Sequence, residues 1–89
     1  MKNFTDMKKI TINFETFADK EEAHNYLAEQ LEFPDYYGKN LDALYECLTE
    51  ISSPTAVHLV NTTDEYAEQI AAVFADAEEE NGNLAVFVN

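Results

Sequence analysis

Residues 33–51, FPDYYGKNLDALYECLTEI, are the stretch that decides how this chain folds. A turn with one proline, two tyrosines and Gly38 comes first, and Asn40 then offers its side-chain oxygen as a helix N-cap. Beyond it the apolar residues recur at helical spacing and predict one stripe that faces the core: Leu41, Leu44, Leu48 and Ile51. The stretch therefore predicts a loop followed by an amphipathic helix that ends near residue 51.

A second stripe, on a different face of the same helix, consists of Asp42, Tyr45, Glu46 and Thr49. Asp42 and Glu46 repel each other across one helical turn, and no lysine stands three or four residues from Glu46 to offset them. On the last predicted helix, Asp76 and Glu80 are also one turn apart, on the flank of the apolar face. A solvated face explains these acids less well than a binding surface, so we expect one negative binding patch.

The charge of the whole chain agrees with that expectation. Eighteen acids stand against five lysines and no arginine, for a net charge of −13 at pH 7. Solubility or adaptation to salt is one explanation, and a strongly basic protein partner is the one we favour. Nucleic acids and anionic membranes are excluded as partners, because binding them requires Lys and Arg against phosphates.

Length and cysteine content predict a single domain in a reducing compartment. The chain has 89 residues, and Cys47 is its one cysteine, so no intrachain disulfide can form. We expect a flexible arm at residues 1–6 and one domain at 7–89. No apolar segment follows the N-terminal lysines and no run approaches the ~18 residues of a membrane span. We expect a cytoplasmic monomer without metal or cofactor.

The first third of the chain predicts a strand and a helix. Residues 8–14 alternate between apolar and polar positions, as a half-buried strand does. Asp19 and Glu22 stand at capping-box spacing and begin a helix. That helix is expected to end near Glu32, because Pro34 biases the residue before it away from helical conformation. The predicted core residues of these two elements are Ile10, Ile12, Phe14, Ala23, Leu27 and Leu31.

The last third predicts two strands joined by a helix. Residues 56–60 and 84–88 are short apolar runs typical of buried strands. Residues 61–64, NTTD, are expected to supply the caps of the helix, with Thr62 and Glu65 at capping-box spacing. Gly82 is expected to end the helix with a positive φ. The predicted apolar face of this helix is Tyr66, Ile70, Val73, Phe74 and Ala77. Before the first of these strands, Ser52-Ser53-Pro54 predicts a turn whose proline bond is open between cis and trans.

These elements together predict an α/β fold. Two apolar strands joined by a single helix favour a parallel pair with a right-handed crossover. The whole chain is therefore predicted to form a small sheet of three parallel strands packed with about three or four helices.

An enzyme that uses Cys47 in catalysis is the alternative to a binding protein. Cys47 would need His24 or His58 as its base. Cys47 lies near the core edge of its helix, His58 lies in an apolar strand, and His24 occupies an ordinary helix position. The chain also lacks a glycine-rich phosphate loop and the residue spacings of zinc and calcium sites. We therefore expect a binding protein and not an enzyme.

Residues 34–49, PDYYGKNLDALYECLT, resemble the barstar family of intracellular ribonuclease inhibitors. The pattern P-x-Y-Y-G-x-N-L-D-A-L, followed by an aromatic residue, an acid and C-L-T, is long and specific. A weaker match extends over most of the chain beyond residue 6. The resemblance implies a three-stranded parallel sheet and an inhibitor whose loop and helix plug the active site of a basic, secreted, barnase-type ribonuclease. An immunity protein for a different basic toxin is the alternative.

The resemblance also implies a set of partner-binding residues in this chain: Tyr36, Gly38, Asn40, Asp42, Tyr45, Glu46, Thr49, Asp76 and Glu80. Three of them depart from the family. Tyr45 stands where barstar has tryptophan, Glu46 where it has aspartate, and Asp76 where it has glutamate. The segment between Pro54 and Phe74 is shorter, so a short helix of the family is expected to be lost. Glu50 and Glu78 lie off the line of Asp42, Glu46 and Thr49 and are expected to be at the rim of the contact or in solvent.

Overall fold

Three parallel strands and three α-helices make up the part of the chain that the structure, a computed structural model, describes: residues 7–16 and 19–88. In chain order these are β1 (Lys8–Asn13), a 3-10 turn (Phe14–Thr16), α1 (Lys20–Leu31), α2 (Leu41–Thr49), β2 (Thr55–Val60), α3 (Glu65–Glu80) and β3 (Leu84–Val88). The expectation of a flexible arm at residues 1–6 lies outside the described residues.

The sheet has the order β1-β2-β3, and both neighbouring pairs are parallel. The prediction of a three-stranded parallel α/β fold is therefore confirmed. Ile10 lies opposite Val57, and Val57 opposite Val86, so alternation directs these residues to one face of the sheet. Residues of that face and the apolar helix stripes form one core, whose fully buried members include Ile12, Leu27, Leu44, Leu48, Val57, Leu59, Ile70 and Phe74.

Strand β3 lies at the edge of the sheet and is not the buried strand that its composition predicts. Only Leu84 is buried, whereas Phe87 and Val88 are 50% and 54% exposed. The backbone N–H of Val86 donates to Glu78 Oε2 at 2.8 Å. Glu78, expected at the rim of the contact or in solvent, is half-buried, because its carboxylate pairs with a donor that the edge strand would otherwise leave open.

Each helix begins with an N-cap side chain. Asp19, Asn40 and Asp64 each accept a hydrogen bond from the backbone N–H three residues further on, at 2.7–2.8 Å. The first two caps confirm the predictions, and Asp64 confirms that residues 61–64 supply the cap of α3. The predicted box of Thr62 and Glu65 is wrong, because α3 begins at Glu65 and this residue therefore cannot stand at the third helical position.

The end of α3 also differs from the prediction. No glycine of the described residues has a positive φ, and the C-cap is Asn81 in extended conformation, with φ −132° and ψ 106°. The Asn81 Nδ2 donates to the carbonyls of Leu48 and Ile51, both at 2.9 Å. The helix therefore ends with the buried side chain of Asn81 and not with the predicted positive φ at Gly82. The Asn81 side chain connects the end of α3 to the end of α2, whose last residue is Thr49.

Helix α1 ends close to the predicted position, by a left-handed residue. Glu32 has φ 58°, and its backbone N–H and that of Phe33 both donate to the carbonyl of Ala28. The chain then leaves the helix toward Pro34. The Ser53–Pro54 bond, which the sequence leaves open, is trans, as are the other peptide bonds in the described ranges.

Candidate functional site

The loop between α1 and α2, residues 33–40, contains one buried residue, Tyr37, which is 6% exposed. Its ring lies 4.8 Å from that of Phe33 between centroids, and its hydroxyl lies 2.7 Å from His24 Nδ1. The neighbouring Tyr36 is 84% exposed. The loop is therefore anchored by one tyrosine and leaves the other free for a partner, and exposed aromatic residues are enriched at protein interfaces.

Gly38 permits the loop to approach the start of α2 closely. A Cβ at this position would lie 3.2 Å from Ala43 Cβ and 3.4 Å from Asn40 Nδ2. Asn40 then joins the two segments, because its Oδ1 accepts from the Ala43 N–H at 2.7 Å and its Nδ2 donates to the Gly38 carbonyl at 3.3 Å. Lys39 between them is left-handed, with φ 56°. Gly38 and Asn40 thus shape the junction that positions the second stripe.

The phase of α2 is the one the sequence predicts. Leu44 and Leu48 are fully buried, whereas Asp42 and Glu46 are exposed. The helix therefore turns its two central leucines to the core and its two carboxylates to solvent.

Tyr45 and Thr49, the remaining members of the second stripe, are half-buried. Tyr45 packs against the edge of the core. The Thr49 hydroxyl donates to the carbonyl of Glu46 at 2.8 Å, which leaves its oxygen lone pairs as acceptors. The stripe therefore presents hydrogen-bond acceptors along most of its length.

The two acids predicted on α3 are exposed and lie on a helix that packs against α2. Glu80 directly precedes Asn81, whose side chain bonds the carbonyls at the end of α2. The C-terminal ends of α2 and α3 are therefore neighbours, with Asp76 one turn further back on α3. Neither acid lines the pocket that lies between loop 33–40 and α2, which is described next.

A pocket of about 180 Å³ separates the loop from α2 and brings three of the predicted site residues together: Tyr36, Gly38 and Glu46. A larger cleft of about 320 Å³ shares Tyr36, Cys47 and Glu50 with it. Glu50, expected at the rim of the contact or in solvent, is exposed and borders both cavities.

Asp42 lies in the first turn of α2, where the helix dipole favours an acid, whereas Glu46 and Glu80 lie in the last turns of α2 and α3. Neither α2 nor α3 has a basic residue in its last turn, where the helix dipole is negative. Within the described ranges the ion pair is Lys8 with Glu32, neither of which belongs to the second stripe. A cationic partner would offset both the dipole and the repulsion between neighbouring carboxylates.

Cysteine chemistry finds no support in this geometry. Burial raises the pKa of the Cys47 thiol, as do the negative charges of Glu50 and Glu46, so the nucleophilic thiolate is disfavoured. The interpretation of His24 as an ordinary helix position is wrong, because it is 1% exposed and both ring nitrogens bond tyrosine hydroxyls, at 2.7 and 2.6 Å. Its nitrogens are therefore already engaged.

Residues 7–16 and 19–88 lack the features of two further kinds of site. No group of three or more His, Cys, Asp or Glu side chains converges there as a metal site would require. Nor does any helix in these ranges have the length and apolar character needed to cross a membrane.

Known proteins resemble this chain along most of its length. A family model described as Barstar (barnase inhibitor) matches residues 7–89, which include the loop and both acid-bearing helices. A protein of Bacillus subtilis (strain 168), named "Putative ribonuclease inhibitor YrdF", is 40% identical over 81 residues. That alignment covers 83% of this chain and 89% of the relative.

Proposed function

The chain belongs to the barstar family, and we propose that it inhibits a basic ribonuclease of the barnase type by seating loop 33–40 and α2 in the nuclease active site. One observation carries the proposal. Asp42 and Glu46 are exposed carboxylates on a well-anchored helix, and neither has a lysine partner among the described residues. Such carboxylates are complementary to a site built to bind phosphates.

The chemistry of the partner supports this assignment. A ribonuclease site uses Arg, Lys and His to bind the phosphates of RNA. Carboxylates accept hydrogen bonds from those same donors, and charge-assisted bonds of this kind are among the strongest that proteins form. A helix that presents two of them in a fixed geometry therefore occupies phosphate positions without being a substrate.

Each part of the site has its own role in the proposal. Asp42 and Glu46 occupy the phosphate positions, Thr49 accepts a further hydrogen bond, and Tyr45 packs at the border of the contact. Tyr36 and the backbone at Gly38 contact the partner from the loop, with Asn40 orienting the junction. Asp76 and Glu80 extend the negative surface on α3.

Other aspects of the proposal follow from the same role. An inhibitor of this kind forms a protein–protein complex and performs no chemistry of its own. It protects the cell that makes the nuclease, which places it in the cytoplasm, and it acts as a monomer because one copy contains the whole binding surface.

The test is stoichiometric inhibition of a barnase-type ribonuclease by the purified protein. We expect RNA cleavage to fall linearly with added inhibitor until the two are equimolar. Asp42→Asn should shift this titration to weaker binding, and Cys47→Ala should leave it unchanged. A basic DNase toxin, assayed in parallel, separates a ribonuclease inhibitor from an immunity protein for another toxin. Full inhibition of the DNase with none of the ribonuclease would refute the proposal.

A further inference from the structure

A buried cluster of one histidine and two tyrosines links three segments of the protein. His24 of α1 is 1% exposed, with Nδ1 2.7 Å from the Tyr37 hydroxyl and Nε2 2.6 Å from the Tyr66 hydroxyl. Tyr37 belongs to loop 33–40 and Tyr66 to the first turn of α3. One imidazole therefore joins α1 to the loop and to α3.

The exposure of the two tyrosines determines how the protons are arranged. Tyr37 is buried, and within the described residues its hydroxyl has one hydrogen-bond partner, His24, so its proton must point to Nδ1. Nε2 then carries the ring proton and donates to Tyr66, which is partly exposed and can turn its own proton to water. The opposite tautomer would leave the buried Tyr37 proton without an acceptor.

This arrangement exists only while the imidazole is neutral. Protonation places a second proton on Nδ1, so the Tyr37 hydroxyl can no longer donate there, and its proton has no other acceptor within the described structure. Burial of the ring lowers the pKa of His24, in agreement with a neutral ring. Protonation of His24 at low pH therefore removes the hydrogen-bond acceptor of Tyr37, the residue that anchors the loop.

We infer that His24 is a positioning residue for the partner-binding loop: neutral His24 fixes Tyr37, and Tyr37 fixes Tyr36 and Gly38 on either side of it. The inference rests on the proposed function for its meaning, since these two neighbours are proposed contacts. Tyr37 is the single buried residue of 33–40, so the placement of the loop depends on it. His24 itself does not contact the nuclease.

The surrounding groups leave His24 as the titrating member of the cluster near neutral pH. Tyr37 and Tyr66 face it directly, and burial raises the pKa of both hydroxyls. Behind them lie Cys47, whose thiol pKa is raised, and Lys20, whose Nζ is 4.8 Å from the Tyr66 ring centroid. The two tyrosines and Cys47 therefore stay neutral between about pH 5 and 7.5.

The first test needs no nuclease. NMR titration of the free protein gives the pKa of His24 from its ring protons, and we expect the amide signals of Tyr36 and Gly38 to titrate with the same midpoint. Tyr66→Phe is a matched control, because it removes the α3 contact and keeps the loop contact, so the loop signals should still follow His24. Loop signals that ignore the His24 titration would overturn the inference.

The second test measures dissociation from a barnase-type ribonuclease between pH 5 and 7.5. Leaving the buried Tyr37 hydroxyl proton without an acceptor predicts that the wild-type dissociation rate rises about five- to tenfold as His24 is protonated. His24→Gln retains an acceptor and a donor but cannot titrate, so its rate should lack this component. Dividing the wild-type dissociation rate by the His24→Gln rate at each pH removes the effects of groups that titrate in the nuclease and of carboxylates that both inhibitors share.

A variant with reduced stability and an intact cluster separates positioning from stability. Ile70→Val removes one buried methyl group from α3, and its dissociation rate should follow the wild-type pH profile. Parallel profiles for wild type and His24→Gln would refute the inference. If no ribonuclease binds at all, the proposed function fails, while the NMR titration still tests the role of His24.

Discussion

Replacing Glu46 with glutamine should stabilise the free protein and weaken its complex. Glu46 lies in the last turn of α2, where its charge opposes the helix dipole at a cost of about 0.3–1 kcal/mol. Asp42 and Glu50 stand four residues away on either side, and each such like-charge pair costs about 0.2–0.5 kcal/mol. Removing the charge should therefore raise the unfolding free energy by about 1–2 kcal/mol at low ionic strength, or Tm by roughly 5–10 °C.

The same substitution should act in the opposite direction on binding. A carboxylate that faces basic donors in a desolvated site is a hot spot, so its loss should cost at least about 2 kcal/mol, or roughly 30-fold in Kd. This range comes from other interfaces, barnase–barstar among them. Most of the change should appear in the dissociation rate, because charge removal inside the contact strands the partner's donors.

Glu29→Gln is the matched control for this prediction. Glu29 is an exposed acid in the last turn of α1, a helix that likewise has no basic residue there. It should gain stability by the same dipole argument, and its complex should dissociate at the wild-type rate. Thermal denaturation of each free protein and surface plasmon resonance against a barnase-type ribonuclease provide the two measurements. Equal dissociation rates for Glu46→Gln and Glu29→Gln would mean that binding rests on diffuse charge.

Four further outcomes are expected. Leu44→Ala should lower the unfolding free energy by about 2–5 kcal/mol because Leu44 is fully buried, whereas Thr49→Ala should change it little; equal losses in urea denaturation would contradict the packing. Glu78→Ala should lower the unfolding free energy by about 1–3 kcal/mol, because the part-buried backbone N–H of Val86 loses its acceptor. Glu78→Gln should recover part of this loss. The association rate with the nuclease, measured by stopped flow, should fall steeply with added salt, and a salt-independent rate would exclude steering. Since the folded-state pKa of His24 lies below its ordinary 6.5, stability should be complete above about pH 6.5 and decrease as pH falls toward that lower pKa.

Local patterns in the sequence were sufficient for the elements that depend on near neighbours. The α2 stripes follow from periodicity alone, because the core takes one face of a helix and leaves the other to solvent. The caps Asp19 and Asn40 are also local, since each bonds a group three residues away. The parallel direction of β2 and β3 follows from two apolar strands joined by one helix, whereas the strand order was not predicted.

Several of the differences concern residues whose partners lie outside their own helix. His24 looked ordinary because its second tyrosine stands 42 residues away. Asn81 replaced the expected glycine because its amide reaches carbonyls 30 and 33 residues earlier, which no local rule for helix ends contains. Glu78 was expected at the rim or in solvent, and its bond to the edge strand that follows α3 could not be read from helical position. Periodicity assigns a face to each residue but cannot identify its partner.

Rigidity and repulsion are connected in this small protein. Carboxylates that must meet basic donors have to stay close together without their own lysine partners, so they destabilise the free chain. A mobile loop or helix would relieve that repulsion but would lose affinity to the entropy of ordering on binding. Burying Leu44, Leu48 and Tyr37 directly beneath the acids avoids this loss, because packing fixes the backbone that the charges push apart. The stability of the core therefore allows the surface acids to remain without lysine partners. A partner that neutralises these acids would bind more tightly because the site is already in position.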